Sequence, residues 1–198
     1  HRRRQADAGQ EDVRAQAGAD RRAQQEGSAS HGRFRIGWRR PAVRRTVRTP
    51  VSAAQLVGLA DAMLTQAVEY AKIRTQFGQP IGAFQGLKHQ LASCAVAIEF
   101  AKPVVWRAAQ AMQDALPTRS IHVSHAKVAT TDAATLAAET AIQVHGAMGY
   151  TYEVDLHFWM KRTWALSGAW GSRAFHLNRI DQAVLGGGLE LGPQATFA

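Results

Sequence analysis

The sequence predicts an all-α protein, an up-down bundle of four to five helices preceded by a disordered basic tail. Three observations support this fold class. From Ser52 onward apolar residues recur at the helical spacing of three and four positions. No stretch of residues 51–198 alternates as a half-buried strand would. Short segments rich in Gly and Pro separate the helical stretches, which is typical of antiparallel helices joined by short loops.

The charge of the chain is concentrated in its first quarter. The 198 residues contain 24 Lys+Arg and 15 Asp+Glu, a formal net charge of +9. Residues 1–50 hold 13 Arg and 5 acidic residues, whereas residues 51–198 hold 11 basic and 10 acidic residues. A basic protein often binds nucleic acid, but here the helical part is nearly neutral. We therefore consider a nucleic-acid partner unlikely for the helical domain, which we assign to residues 51–186.

Residues 1–50 contain neither Leu nor Lys and bury too little apolar surface to offset the entropy of ordering. Three interpretations remain open for this low-order tail. It is a basic arm that binds nucleic acid, a solvated linker, or a GC-rich stretch read in an unusual frame, which the missing Leu and Lys favour. The chain starts with His1, which suggests a fragment. After the triplet Gly186–Gly188, residues 187–198 are predicted to fray.

The first helix is predicted from Ser52, an N-cap after Pro50, to about Arg74. Its apolar positions are spaced for one buried face: Leu56, Leu59, Ala60, Met63, Ala67 and Ala71. The segment Gln76–Phe84 contains Gly78, Pro80 and Gly82, so it is predicted to be a loop.

Four further helical segments follow. A long helix is predicted over about 85–114, with Pro103 expected to kink it or to remove one backbone hydrogen bond. Helices over about 120–145, 154–165 and 172–185 complete the bundle. The glycine pair Gly146 and Gly149 ends the third helix, and a break is expected at Ser167-Gly168.

Cysteine and hydropathy patterns place the chain in a reducing compartment. Cys94 is the single cysteine and is expected to be a buried small apolar residue. No apolar run approaches the roughly 20 residues of a membrane span, and no secretory signal begins the chain. These features predict a cytoplasmic protein. His122 and His125 share a helix face, but no third ligand stands at matching spacing, so no metal site is predicted.

Three sequence runs resemble the acyl-CoA dehydrogenase family and occur in that family's order and spacing. The first is Tyr70–Gln85, YAKIRTQFGQPIGAFQ, the second is Ala141–Thr151, AIQVHGAMGYT, and the third is Asp155–Arg162, DLHFWMKR. Together they cover about residues 51–186, which correspond to the C-terminal helical domain of members from actinobacteria-like genomes. One such run would be weak support, but three linked runs are specific.

The resemblance implies a flavoprotein that oxidises an acyl-CoA thioester to the 2,3-enoyl-CoA. In this family a carboxylate removes the α-proton while a hydride passes from the β-carbon to FAD. The C-terminal bundle forms the core of the oligomer and contributes groups to the FAD of a neighbouring subunit. The implied partners are therefore the acyl-CoA substrate and a complete dehydrogenase subunit, in a homo- or hetero-oligomer. The electron acceptor is left open.

The resemblance also assigns the cofactor-binding residues. They are Arg74, Phe77, Gln85, Gln143, Gly146 and Gly149. Arg74 would face the FAD pyrophosphate, because a guanidinium can bind two phosphate oxygens at once. Phe77 would pack at the adenosine end, and Gln85 would offer an amide there. Gln143 and the glycine pair would approach the diphosphate. Without the motif, Arg74 would be interpreted as a cation at a helix C-terminus, and the glycines as a cap and turn.

The catalytic base of the family has no counterpart here. One branch places a Glu in the loop between the last two helices, where this sequence has Trp170, whose indole cannot accept a proton. Other members place it near the start of the first helix, which corresponds to a position around Arg48. The nearest carboxylates are Glu153, Asp155 and Asp181, and none is expected to act as the base. The catalytic residue is therefore unassigned.

Two further interpretations follow from this departure. A full family member needs additional upstream domains, so this chain alone is expected to be inactive. One alternative is a base-less, non-catalytic subunit of a heteromeric acyl-CoA dehydrogenase. The other is a helical interaction module whose basic arm binds nucleic acid, with strongly salt-dependent affinity.

Overall fold

The structure is a computed structural model that describes residues 41–187 and 189, with side chains described from residue 47 onward. Five helices account for most of this part of the chain. They are α1 (Pro41–Ile73), α2 (Gln85–Gln113), α3 (Arg119–His145), α4 (Leu156–Gly168) and α5 (Arg173–Leu185). The predicted all-α bundle with four to five helices is confirmed.

The first helix begins earlier than the sequence predicted. Pro50 lies inside α1 and does not precede it, and the helix already runs from Pro41. Ser52, expected as the N-cap, is instead a buried interior residue whose hydroxyl donates to the Thr49 carbonyl at 2.8 Å. The predicted start was wrong because Pro50 lies inside a helix that continues on both sides of it, whereas proline disfavours a helix interior only on average. The low-order interpretation of residues 41–50 is therefore wrong, and residues 1–40 lie outside the described part.

The segment between α1 and α2 is a tight hairpin and not an irregular loop. Strand β1 (Thr75–Gln76) pairs antiparallel with strand β2 (Gln79–Pro80). The two connecting residues, Phe77 and Gly78, have φ angles of 53° and 81°. Positive φ at both positions is the geometry of the turn that matches strand twist in two-residue hairpins. One 3₁₀ turn, Ile81–Ala83, then leads into α2.

Helix α3 is the centre of the bundle and packs against each of the other four helices. Its buried residues point in all directions around the helix axis, which explains why no single apolar stripe marks it. Many of them are alanines: Ala126, Ala133, Ala134, Ala137, Ala138 and Ala141. Small side chains allow the neighbouring helix axes to approach closely, so the core depends on shape as much as on large apolar groups.

The predicted apolar face of α1 is confirmed, since Leu56, Met63 and Ala67 are buried in the main core cluster. By length and composition alone, Val47–Ile73 would suffice to cross a membrane, which the sequence analysis did not anticipate. The burial of this face against α2 and α3 is typical of a bundle's core helix. Helices α1 and α3 run in the same direction, because Tyr70 and His145 meet near both C-termini.

The remaining boundaries agree closely with the prediction. Pro103 lies inside α2, and Cys94 is fully buried, as expected. Helix α4 continues through Ser167 and Gly168, where a break was predicted. Ser172 caps α5 by accepting from the Phe175 N–H at 3.3 Å. Of residues 187–198, only 187 and 189 are described.

Candidate functional site

A cleft of about 400 Å³ opens where α1 and α3 end, and we call it the Arg74 cleft. Arg74, Gln143 and Gly146 line it together, although the first is far from the other two in sequence. Tyr70 and His145 form part of the same lining. The structure thus brings three of the six sequence-assigned cofactor residues into one cleft. No described lining residue carries a carboxylate.

The backbone of Arg74 is held on both sides while its side chain is exposed. Its N–H donates to the Tyr70 carbonyl at 2.9 Å, and its carbonyl accepts from the Ile81 N–H at 2.8 Å. Within residues 47–187 no carboxylate forms a salt bridge with the guanidinium. A guanidinium that is exposed, carried on a hydrogen-bonded backbone and not neutralised by a carboxylate is well suited to bind an anionic ligand.

Tyr70 and His145 form the floor of the Arg74 cleft. Their rings stack with centroids 4.3 Å apart. Nδ1 of His145 donates to the Ala141 carbonyl at 2.8 Å, one turn back along α3. This bond orients the imidazole. The sequence alone did not indicate whether His145 would hydrogen-bond a phosphate or a carbonyl at the end of the helix. Tyr70 was not singled out from the sequence, and its position within the first motif was the only available signal.

The two predicted cofactor glycines have different structural roles. Gly146 ends α3 with φ 61° and ψ −138°, a conformation that favours glycine, and an added Cβ there would meet no atom within 4 Å. Gly149 is buried, and an added Cβ would lie 3.2 Å from Ile142 Cδ1. Gly146 therefore shapes the rim of the Arg74 cleft, whereas Gly149 allows the 3₁₀ turn Gly146–Tyr150 to pack on α3.

Phe77, in the turn of the hairpin, and Gln85, at the start of α2, do not line the Arg74 cleft. Phe77 is at the hairpin tip, with 92% of its surface exposed. Its ring contacts Phe84 edge-on with centroids 6.2 Å apart. Gln85 is the exposed first residue of α2. An exposed aromatic residue in a left-handed backbone conformation is unusual, and such residues cluster at functional sites.

A second concave surface of about 490 Å³ lies where α1 begins and α4 ends, and we call it the Trp170 groove. Arg48 from α1 and Arg162 from α4 both line it. The Arg48 guanidinium carbon lies 5.0 Å from the centroid of the Trp170 ring, a cation–π contact. Val47, Val51, Ala165, Leu166 and Ala169 supply most of the apolar wall.

The two positions at which the resemblance places a catalytic base are therefore neighbours in space. Trp170 and Arg48 occupy them, and no described residue lining the Trp170 groove is acidic. Trp170 has φ 63° and precedes Gly171 with φ 126°, so the turn between α4 and α5 is strained. Glu153 and Asp155 lie at the opposite end of α4. They are too far away to replace the missing carboxylate.

Lys127 is a buried cation behind the Trp170 groove that sequence reasoning missed. Its side chain is fully buried in α3, and Nζ donates to the Leu166 carbonyl near the end of α4. Burial lowers the pKa of this amine from 10.5 to about 8, because the charged form loses hydration. The sequence signal that could have indicated a buried lysine is its position between Ala126 and Val128 in an alanine-rich helix.

His122 and His125 line a separate pocket of about 220 Å³ together with Arg107. Burial lowers the pKa of His122, with further contributions from the positive charges of Arg107 and His125. Among the described residues no group of three or more His, Cys, Asp or Glu side chains is placed to hold a metal ion.

The described bundle thus has an arginine-lined concave surface at each end, and no described residue that lines either surface is acidic. The family model described as acyl-CoA dehydrogenase, C-terminal domain, matches residues 36–185. The chain belongs to the acyl-CoA dehydrogenase family, as the sequence motifs predicted. The match begins at residue 36, upstream of the first residue of α1, Pro41.

Known relatives agree with this assignment. The chain is 39% identical over 132 residues to acyl-CoA dehydrogenase IpdE2 of Mycobacterium tuberculosis, covering 67% of this chain and 40% of that protein. It is 39% identical over 102 residues to the mitochondrial short-chain specific acyl-CoA dehydrogenase of Mus musculus, covering 52% of this chain and 24% of that protein. The structure of butyryl-CoA dehydrogenase from Megasphaera elsdenii superposes with a TM-score of 0.70 and 30% identity, covering 75% and 39%. The chain thus spans less than half the length of these relatives.

Proposed function

We propose that this chain supplies the C-terminal helical domain of an FAD-dependent acyl-CoA dehydrogenase, which oxidises an acyl-CoA thioester to the enoyl-CoA. The observation that carries the proposal is the Arg74 cleft, where residues from two separate sequence motifs converge. We take the helical domain to extend from about residue 41 to 186. The acyl-CoA acts as substrate, and the compartment is the cytoplasm.

The Arg74 cleft fits the FAD pyrophosphate. Arg74 is exposed and has no carboxylate partner within the described residues, so its fork can bind two phosphate oxygens. The exposed Gln143 amide provides a further donor at the same cleft. Gly146 keeps the rim open by ending α3 with positive φ. When bound, FAD accepts the hydride of the oxidation, while these residues bind and orient its phosphates.

The hairpin side would serve the adenosine end of FAD. Phe77 presents an exposed ring that contacts only the edge of Phe84. Such a ring can stack on an adenine base. Gln85, the first residue of α2, would offer its side-chain amide to the same end of FAD. Gly149 contributes indirectly, by allowing the 3₁₀ turn after α3 to pack closely.

The outer surface of α2 supports an oligomer. Val96, Phe100 and Trp106 are 55%, 75% and 68% exposed on this helix. Large apolar side chains exposed on one element mark protein–protein contact surfaces. We infer that α2 packs against a complete dehydrogenase subunit, or against a second copy, in a homo- or hetero-oligomer.

A second candidate function is favoured by one specific observation. Arg48 and Trp170 occupy both family positions for the catalytic base, and the described lining of the Trp170 groove has no carboxylate. A chain with this groove cannot remove the α-proton there. The alternative is therefore a base-less, non-catalytic subunit of a heteromeric acyl-CoA dehydrogenase, whose partner supplies the base.

The flavin spectrum of purified protein tests the proposal. The 198-residue chain is expressed alone and together with a full-length acyl-CoA dehydrogenase subunit. We expect flavin absorbance only in the co-purified complex, and reduced absorbance when the chain carries Arg74→Gln. The matched control is Arg179→Gln, a half-buried arginine on α5 that does not line the Arg74 cleft. A complex that retains full flavin in the Arg74 variant would contradict the assigned site, and a tight yellow complex of the chain alone would contradict the need for a partner.

A further inference from the structure

The Trp170 groove combines positive charge with apolar walls. Arg48 and Arg162 approach it from two different helices, and no described lining residue offers a carboxylate to either of them. Lys127 adds positive charge from behind, since its ammonium donates to the carbonyl of Leu166, which lines the groove. A concave surface with several cations and no neutralising carboxylate attracts and binds anions.

The geometry of Arg48 leaves its hydrogen-bond donors available. Its guanidinium contacts the Trp170 ring, with Cζ 5.0 Å from the ring centroid, and forms no salt bridge within the described residues. The N–H groups of a guanidinium lie in its plane, so a stacked arginine can still bind a carboxylate through its edge. Stacking also restricts the side chain, which reduces the entropy lost when a ligand binds.

The apolar part of the groove indicates what the anion is attached to. Val47 and Val51 from α1 line the groove together with Ala165 of α4, and with Ala169 and Trp170 directly after that helix. An inorganic anion would use none of this surface. A ligand with a short hydrocarbon chain ending in a carboxylate would use both parts, burying its methylene groups at about 0.8 kcal/mol each.

We propose that the Trp170 groove selects acyl-CoA thioesters whose acyl group ends in a second carboxylate, bound by Arg48 and Arg162. This inference rests on the proposed function, because it takes the ligand to be a thioester. It extends that function by naming the substrate class. The positions where the resemblance places a carboxylate of the enzyme are instead lined by cations that bind a carboxylate of the substrate.

Paired thioesters test this proposal. The full 198-residue chain is titrated calorimetrically with adipoyl-CoA and with hexanoyl-CoA, which have acyl chains of the same length and differ in the terminal carboxylate. Both carry identical coenzyme A phosphates, so phosphate binding contributes equally to each affinity. The variants are Arg48→Gln and Arg162→Gln, and the matched control is Arg107→Gln on α2. Circular dichroism verifies that each variant is folded.

We expect adipoyl-CoA to bind about tenfold more tightly than hexanoyl-CoA, because a hydrogen-bonded charge pair contributes that much. Arg48→Gln and Arg162→Gln should each remove most of the preference, and Arg107→Gln should not. Equal affinities, no binding of either thioester, or a preference that survives both variants would overturn the proposal. A chain that acquires flavin with its partner yet binds both thioesters alike fails only this inference. One that prefers adipoyl-CoA but never acquires flavin fails only the proposed function.

Discussion

The two ends of the bundle carry similar charges in different surroundings. The Arg74 cleft sets one arginine beside an amide, a fixed imidazole and a glycine rim. The Trp170 groove sets two arginines beside apolar walls and an indole. The first arrangement suits a polar, charged ligand along its whole length, and the second suits a ligand that is charged at one point only.

This difference separates what the family pattern predicts from what it does not. Arg74, Gln143 and Gly146, which come from two of the motifs, line the Arg74 cleft together, whereas Phe77 and Gln85 do not. The Trp170 groove lies where the sequence departs from the pattern, and the replacements there, Arg48 and Trp170, contact each other. Two departures that meet in space indicate one altered site and not two unrelated substitutions.

The largest expected effect comes from restoring a carboxylate to the Trp170 groove. Trp170→Glu, in a complex that holds flavin, should increase exchange of the substrate α-proton about 100-fold, the usual contribution of a general base. Deuterium loss from the α-carbon, followed by NMR, measures it. Trp170→Gln removes the indole without adding a base and is the control. Equal exchange in both variants would show that Trp170 does not occupy the base position.

The Arg74 cleft should respond next most strongly. Arg74→Gln is expected to weaken flavin binding in the complex about thirtyfold, because a charge-assisted, bidentate contact is lost. Fluorescence titration with FAD gives the dissociation constant. Arg74→Lys should restore only part of the affinity, since a lysine cannot bind two oxygens as a fork. Arg162→Gln, at the other end of the bundle, should leave flavin affinity unchanged. Weaker flavin binding in that variant would show that the two sites are coupled.

Lys127, behind the Trp170 groove, should make the stability of the fold depend on pH. The folded chain releases this proton near pH 8, whereas the unfolded chain retains it to about 10.5. Between these values the unfolded state binds more protons, so stability rises with pH through this window. From pH 7.5 to 9.5 the Lys127 contribution to the free energy of unfolding should increase by about 2 kcal/mol. Urea unfolding of wild type against Lys127→Met measures it.

The control for this pH dependence is Lys88→Met, an exposed lysine on α2. This variant should follow the wild-type curve, while Lys127→Met should lack the rise. Parallel curves for wild type and Lys127→Met would mean that burial does not perturb this amine.

The smallest effect is expected at the hairpin tip beside the Arg74 cleft. Phe77→Gly should stabilise the fold by about 1 kcal/mol, because a non-glycine residue at φ 53° carries left-handed strain. The same variant should weaken flavin binding severalfold if the ring stacks on the adenosine. Thermal unfolding and FAD titration provide the two measurements. Phe77→Ala removes the ring but keeps the strain, so a stability gain in that variant would contradict the strain argument.

Most of the fold could be predicted because its signals are local. The spacing of Leu56, Met63 and Ala67 identified the buried face of α1, and Ser172 and Gly146 marked helix ends. The start of α1 was missed because Pro50 is a breaker only by average preference. Helix α1 continues on both sides of it, which the sequence does not reveal.

The candidate sites were only partly predictable, for a different reason. Arg74 and Gln143 belong to motifs, so their meeting could be expected. Lys127 approaches Leu166 across 39 positions of sequence, and its burial depends on how α3 and α4 pack. The contact between Arg48 and Trp170 likewise requires the relative placement of α1 and the turn after α4. Such pairs arise from tertiary packing, which hydrophobic periodicity does not specify.

Helix α1 has a consequence for stoichiometry. Arg48 lies 25 positions before Ile73, the last residue of this helix, which amounts to about 38 Å at 1.5 Å per residue. On the proposed function, we expect a thioester in the Trp170 groove and flavin phosphates in the Arg74 cleft of the same chain to belong to different reaction centres. In an assembly, each chain would therefore serve two reaction centres, one at each end of its longest helix. When wild-type chains are mixed with chains that carry a defect at one end, the fraction of inactive reaction centres should equal the fraction of mutant chains. Each mutant chain should inactivate one of the two centres to which it contributes and leave the other active.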